Sequence, residues 1–334
     1  MLIHNRKVQV ERFVAACCVF MLAGRSMNQR FQIYQATEQP IRITKPESSA
    51  NDDSPRPSIT QIIAASFIPM SPENGKMKLP RTIHTVVIDI GARESDYLDV
   101  LEQTEDATVA LILFDPLPDS SIPLQKRVAE YSMRGLNETR SRWLNQTRSR
   151  QVFMVRAAMG ENEGIGDFNI ARGPACSSIL KTSSENKFWC ANVKETIQIP
   201  IMTLKDFLPL IPESVEQIHI KVDTEGADLA VLRGAGDYIH KVNTFVIECK
   251  ADGGDKKFRD GECVQSDASL YMKEKDFNEL EVERQGGLVN MFFVNSKYKG
   301  PLPAFLKDGR LAMRGFYDKL YQRFKNDHGV SAER

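Results

Sequence analysis

The chain has 334 residues, 42% of them hydrophobic and 26% charged, the composition of a globular protein long enough for one large α/β domain with appendages. Its 44 Lys and Arg balance its 44 Asp and Glu, so it lacks the basic surplus of a nucleic-acid-binding protein, and no nucleic-acid partner is expected. None of its six cysteines forms a CxxC pair, which argues against a zinc site.

Residues 1–12 carry His4, Arg6, Lys7 and Arg12 against one acid, Glu11, and residues 13–24, FVAACCVFMLAG, are uncharged and apolar. A basic start followed by a short apolar run reads as a secretory signal peptide or a short signal-anchor over residues 1–26. The run is short for a membrane span, which needs about 20 residues. A buried N-terminal helix or an organelle transit segment is the alternative. The secretory reading places the body in the Golgi or ER lumen, anchored at a membrane or secreted. Residues 27–58 read as a polar linker or stem, since ATEQPIRITKPESSANDDSPRPS holds four prolines and few residues able to build a core. Domain boundaries follow at 59–300 for the body and 301–334 for a helical, basic extension.

The body opens on residues 85–92, TVVIDIGA, an apolar strand that runs into Asp89 and Gly91. A strand apolar on both faces belongs in the middle of a parallel sheet. A helix is expected around Tyr97–Leu101, then a second strand, TVALILF, ending on Asp115. This is the pattern of a nucleotide-type βαβ unit. A glycine clears the first turn for a ligand, and an acid closing the second strand accepts both hydroxyls of a ribose.

Residues 125–150 are rich in arginine, and within them NETRSR and NQTRSR form an internal echo carrying two glycosylation sequons, at Asn137 and Asn145. This basic run is either a solvated face or a patch for an anionic sugar or lipid head group. A third strand is expected at 151–155, a short strand at 168–170, a serine-rich loop at 173–187 and an extended edge strand at 195–200. Thr203 caps a helix over 203–210, with Asp206 three residues on.

Residues 216–250 then read as strand, acidic turn, helix, loop and strand. Ile218, Ile220 and Val222 alternate with His219 and Lys221, then Asp223, Thr224, Glu225 and Gly226 break the pattern. Leu229, Val231, Leu232 and Ala235 approach helical spacing, with Gly234 and Gly236 as stops. The next apolar run closes on Glu248. Three carboxylates, Asp223, Glu225 and Glu248, therefore stand at the carboxyl ends of strands, where open α/β sheets bind ligands. Their other role is capping and structural hydrogen bonding. No histidine stands beside them, so no metal is assigned. Residues 253–261, GGDKKFRDG, read as a loop over the site or plain surface. Residues 268–280 look helical, and VNMFFV at 289–294 is a final strand. Cys176 with Cys190 and Cys249 with Cys263 are candidate disulfides for a luminal body; four buried thiols are the alternative.

The stretch KVDTEGADLAVLRGA resembles the K-[IV]-D-x-E-G-[AE]-[ED]-x-x-V-L-x-G-A signature of the FkbM-type S-adenosylmethionine-dependent methyltransferases. VVIDIGA resembles the family's first motif, ALILFDP its F-E-P block with Asp115 in place of glutamate, and AAMGENEGIGDF its A-[LM]-x-x-x-x-G segment. The similarity spans roughly residues 82–295. It implies a Rossmann-like methyltransferase fold, a mostly parallel central sheet with helices on both faces and a late antiparallel strand. It also implies S-adenosyl-L-methionine as cofactor, held by Asp89, Gly91, Ala92, Asp115 and, near the adenine, Ala158. The family's D-x-G-A-N-x-G departs here to Asp89-Ile90-Gly91-Ala92-Arg93-Glu94-Ser95, and a side chain at Ser95 is expected to reduce the room for the cofactor. Two functional readings follow. One is an O-methyltransferase acting on a small-molecule or glycan hydroxyl, with Asp223 orienting or deprotonating the acceptor and Glu225 and Glu248 in support. The other is a non-catalytic luminal binding protein on the same fold, using the basic run 126–150.

Overall fold

The computed structural model describes residues 61–300, apart from 64–65, 67, 94, 96, 100, 102–107, 118–121, 132–150, 183–191 and 254–258. All of these belong to one compact unit, Ile43–Arg334. The apolar run 13–24, the linker, both sequons, Cys190 and the extension 301–334 lie outside the described residues. Among those described, no helix is long and apolar enough to cross a membrane.

The central sheet has seven strands: β1 (Thr85–Ile90), β2 (Val109–Phe114), β3 (Gln151–Val155), β7 (Gln217–Val222), β8 (Thr244–Lys250), β9 (Phe277–Gln285) and β10 (Leu288–Asn295). They lie in the order β3-β2-β1-β7-β8-β10-β9. The pairs from β3 to β8 are parallel, and β10 runs antiparallel to both β8 and β9. This is the Rossmann-like methyltransferase arrangement, with VNMFFV as the reversed strand. The chain leaves β1 outward to β2 and β3, then returns to β7 on the other side of β1. The carboxyl ends of β1 and β7 thus flank a switch point, where neighbouring connections diverge and leave a crevice.

Successive residues of each strand serve opposite faces. Val86, Ile88 and Ile90 of β1 join one core with Ile220, Val222, Phe245, Ile247, Met291 and Phe293, while Val87 joins the other with Leu111, Leu113, Val246 and Phe292. The first face is covered by α1 (Leu204–Phe207), α2 (Asp228–Arg233) and α3 (Gln265–Glu274). There Phe207 meets Phe114 edge-on, their ring centroids 4.9 Å apart. Each such buried aromatic removes apolar surface worth about 1.5–3 kcal/mol from water. Tyr97, Leu98, Leu124, Val128 and Tyr131 cover the second face. Helical residues therefore lie on both faces. By the same alternation, Asp89, Lys221, Glu248 and Asn290 share the second face.

A smaller sheet, β4 (Ala158–Met159), β5 (Gly164–Ala171) and β6 (Val193–Met202), lies in the order β4-β6-β5. Here the structure differs from expectation. The segment expected as an edge strand at 195–200 is longer and central, because its backbone is paired on both sides. The helix expected over 268–280 ends at Glu274, and Asp276, at φ +62°, turns the chain into β9. Glu279, Glu281 and Glu283 alternate there with Leu280 and Val282, a two-residue period that helical spacing hides. Thr203 caps α1 as expected, accepting from the Asp206 amide at 3.2 Å.

Candidate cofactor and acceptor site

A cleft of about 250 Å³ opens at the carboxyl ends of β1, β2 and β7. Its floor and rim include Gly91, Ala92, Arg93 and Ser95 after β1, Asp115 and Leu117 after β2, Ala158 from β4, and Lys221, Asp223, Thr224 and Glu225 from the end of β7. Phe168, Ala175, Ser177 and Ile179 close it from the small sheet and the loop beyond. Leu117, Ala158 and Phe168 belong to one apolar cluster, with Ile179 packed against it, so one end of the cleft is an apolar slot. The other end is charged.

Gly91 sits at φ +84°, and a Cβ built on it would lie 1.8 Å from the Asp223 carbonyl oxygen. The amides of Gly91 and Ala92 both donate to the Phe114 carbonyl, at 2.9 and 3.0 Å, and the Asp223 amide donates to the Ile90 carbonyl at 2.9 Å. The turn thus brings residues 91 and 92 to the cleft with their amides already paired. Those donors are committed to β2, and the glycine is required because the turn of β1 presses on the end of β7. Beyond it, Arg93 (φ +39°) and Ser95 (φ +50°) are left-handed, a conformation that asparagine and glycine adopt with less strain. The backbone keeps the turn that the usual asparagine and glycine would favour.

Asp89 differs from expectation. It is fully buried and is not among the residues lining the cleft. It accepts from Ser95 Oγ at 2.8 Å, and Lys221 Nζ stands 3.7 Å from its other oxygen. Its charge is worth burying only because cationic and hydroxyl partners face it. Ser95 Oγ also accepts from the Leu98 amide at 3.3 Å, capping the helical turn that follows. The Ser95 side chain is therefore directed down onto Asp89, rather than only crowding the cleft as its substitution for glycine suggests.

Asp115 is buried and lines the cleft, and it is fixed by the Leu117 amide, which donates to Oδ1 at 2.8 Å. Asp223 lines the cleft with its side chain one-third exposed, and Lys221 Nζ donates to its Oδ2 at 3.2 Å. Glu225, at φ +57°, lies 3.7 Å from the buried Arg259 guanidinium. Burial first, then the Asp223 charge, pushes the Glu225 carboxyl up to about 7, against the pull of Arg259 and Arg93. Glu248 does not line the cleft. Val222 pairs with Ile247, so Asp223 and Glu248 are the next residues outward on the two strands. Burial, then Asp223, Asp228 and Glu225, raise the Glu248 carboxyl to about 8. The structure thus brings Asp223, Glu225 and Glu248 together, with Asp89 beneath and Asp115 across the cleft.

Two groups of site residues escaped the sequence reading. Asp228, fully buried, accepts from Thr224 Oγ1 and the Gly226 amide, both at 3.2 Å, and from the Glu248 amide at 3.4 Å, tying the acidic turn to β8. Burial and the Asp223 charge raise it to about 8. Its signal was an acid opening a helix directly after the turn. Lys221 was visible only as one of two residues, with His219, that alternate with the apolar ones of β7. Of residues 253–261, expected as a loop over the site or plain surface, the described residues 259–261 form, with Glu262 and Cys263, a strap against the site. The Cys263 amide donates to the Gly226 carbonyl at 2.8 Å, Arg259 donates to the Cys176 carbonyl, and a Cys249–Cys263 disulfide joins the strap to β8. Cys176 is disulfide-bonded as well. Ser178, from the serine-rich loop, is buried and donates from Oγ to the Thr224 carbonyl at 3.1 Å.

The methyltransferase FkbM domain family matches residues 89–281, more than half of the chain. None of the curated proteins compared matches it. Among solved structures, the methyltransferase FkbM from Methylobacillus flagellatus KT is similar at 15% identity and a TM-score of 0.38, over 67% of this chain and 46% of that one. The chain thus spans less than half the length of that relative. A SAM-dependent methyltransferase from Aquifex aeolicus is similar at 12% identity and a TM-score of 0.27, over 64% of this chain and 83% of that one. TrmK of M. capricolum, in complex with S-adenosyl-homocysteine, is similar at 10% identity and a TM-score of 0.31, over 73% and 88%. With three of its four ordered motifs inside the matched span and the first, VVIDIGA, running into it, the chain belongs to the FkbM family of S-adenosylmethionine-dependent methyltransferases.

Proposed function

We propose that the protein transfers a methyl group from S-adenosyl-L-methionine to a hydroxyl of a sugar or glycan. The residues present fit that cofactor. The apolar slot of Leu117, Ala158, Phe168 and Ile179 suits an adenine, Asp115 at the end of β2 suits a ribose diol, and the charged end of the cleft suits an amino-acid moiety. Gly91 and Ala92 shape the wall between. When bound, the cofactor supplies a methyl carbon made electrophilic by its sulfonium. The rest of the work is orientation and one proton transfer.

The observation that carries this reading is the set of neighbouring acids at and just behind the cleft. Asp223 faces the Lys221 ammonium at 3.2 Å, whereas Glu225 is pushed up to about 7 and Glu248 to about 8. A carboxyl that faces an ammonium suits a base, and carboxyls that hold their protons suit donors. Asp223 then takes the acceptor hydroxyl's proton, Glu248 behind it stays protonated at neutral pH, and Glu225 hydrogen-bonds an adjacent hydroxyl. A polyol suits a rim of carboxyls, since each pair of hydroxyls offers two donors.

Methyl transfer to a panel of glycans, followed by calorimetric titration with S-adenosylhomocysteine, tests the reading. Asp223→Asn is expected to lower the rate about 10²- to 10⁴-fold while S-adenosylhomocysteine binding is retained. An unchanged rate would sink the role given to Asp223, and folded wild type that takes up no S-adenosylhomocysteine would favour a non-catalytic binding protein. We also place the protein in the secretory pathway, anchored or secreted. The Cys249–Cys263 disulfide supports an oxidising compartment.

A further inference from the structure

The amino-acid end of the cofactor carries a carboxylate, and a carboxylate removed from water needs donors or a cation. The turn after β1 cannot give it the amides of Gly91 and Ala92, because both donate to the Phe114 carbonyl. The cations lining the cleft are Arg93 and Lys221. Lys221 is held between Asp89 at 3.7 Å and Asp223 at 3.2 Å. Arg93 is exposed, and although its charge acts on Glu225 it makes no hydrogen bond or ion pair among the described residues. With the apolar slot and Asp115 fixing the nucleoside end, the amino-acid end falls on the side of the cleft where Arg93, Asp223 and Glu225 stand. Arg93 also holds a left-handed backbone, φ +39°, where an asparagine would sit with less strain. A strained backbone at a ligand-facing turn is the pattern of strain that serves function.

We propose that Arg93 binds the α-carboxylate of the cofactor through its guanidinium, replacing the donors that the turn has committed to β2. This rests on the reading of the cleft as an S-adenosylmethionine site. A guanidinium presents paired N–H groups that match both oxygens of a carboxylate. The same acids that crowd the amino-acid end, Asp223 and Glu225, repel that carboxylate, so a cation between them and the ligand decides whether the zwitterion is accepted.

The test is calorimetric, on the full chain, with two probes. S-adenosylhomocysteine carries the carboxylate; S-adenosyl-3-thiopropylamine keeps the nucleoside, sulfur and amine and lacks it. Arg93→Asn is expected to weaken S-adenosylhomocysteine binding about 10- to 100-fold, and to leave the amine within about twofold of wild type. Asparagine suits a positive φ, so the variant is expected to melt no lower than wild type, which separates lost contact from lost fold. Equal weakening of both probes, or of neither, overturns the role of Arg93 while the cofactor reading stands. If wild type binds neither probe, the cofactor reading falls, and this role with it.

Discussion

Replacing Glu248 by glutamine is expected to stabilise the protein, and by an amount that grows with pH. The Glu248 carboxyl is raised from about 4.5 to about 8 by burial and by Asp223, Asp228 and Glu225. The folded chain therefore keeps this proton at pH values where the unfolded chain has released it. The group's favourable contribution is complete below about pH 4.5, and it is lost as pH rises toward about 8. Each pH unit inside that window costs about 1.4 kcal/mol, so about 3 kcal/mol disappears between pH 5 and pH 7. Glutamine has the same shape as the protonated acid and nothing to titrate. In both proteins residue 248 is neutral in the folded state over this range, so Asp228, Glu225 and Asp223 meet the same neighbour. The difference arises from the unfolded chain. Urea unfolding of wild type and Glu248→Gln at pH 5 and pH 7 measures it: the variant should lose about 3 kcal/mol less than wild type over that interval. Equal losses in the two proteins would mean that Glu248 is ionised at neutral pH, and the division of labour drawn for the acids would fail.

Gly91→Ala is expected to cost at least about 2 kcal/mol of stability, because its Cβ would meet the Asp223 carbonyl at 1.8 Å at a φ of +84°; a melting curve that matches wild type would show that β1 and β7 are not in that contact. Mass mapping of the protein from its producing cells is expected to find the peptides bearing Cys249 and Cys263 linked. Two free thiols at those positions, with a full-length N-terminus and no membrane association, would contradict the secretory placement.

The sheet was legible because its strands are apolar on both faces, as at Thr85–Ile90 and Val109–Phe114, and because the acids follow directly after them. Asp115, Asp223 and Gly91 come to the cleft as their positions after the strands suggested, and Ala92 and Ala158 as the family resemblance implied. What stayed hidden depends on contacts distant in sequence. That Asp89 supports Ser95 and Lys221 instead of lining the cleft follows from which face of β1 it occupies and from what stands above it. The strap at 259–263 carries no periodic signal, since its place is fixed by a cross-link and by hydrogen bonds to Gly226 and Cys176. β9 was missed because its apolar residues are few and, as the last strand of the sheet, it pairs with β10 alone among the described residues.

The sharing of one face by Asp89, Lys221, Glu248 and Asn290 has a consequence for how the gene can change. Each stands in step with apolar neighbours that point the opposite way, so deleting a single residue from β1, β7, β8 or β10 inverts everything downstream in that strand. Polar groups would then enter the layer that Val86, Ile88, Val222 and Ile247 fill, and aliphatic side chains would replace them on the second face. Point substitutions on these strands are graded in effect, but a one-codon loss is all-or-none, so strand length should be guarded more strictly here than the identity of any one aliphatic residue.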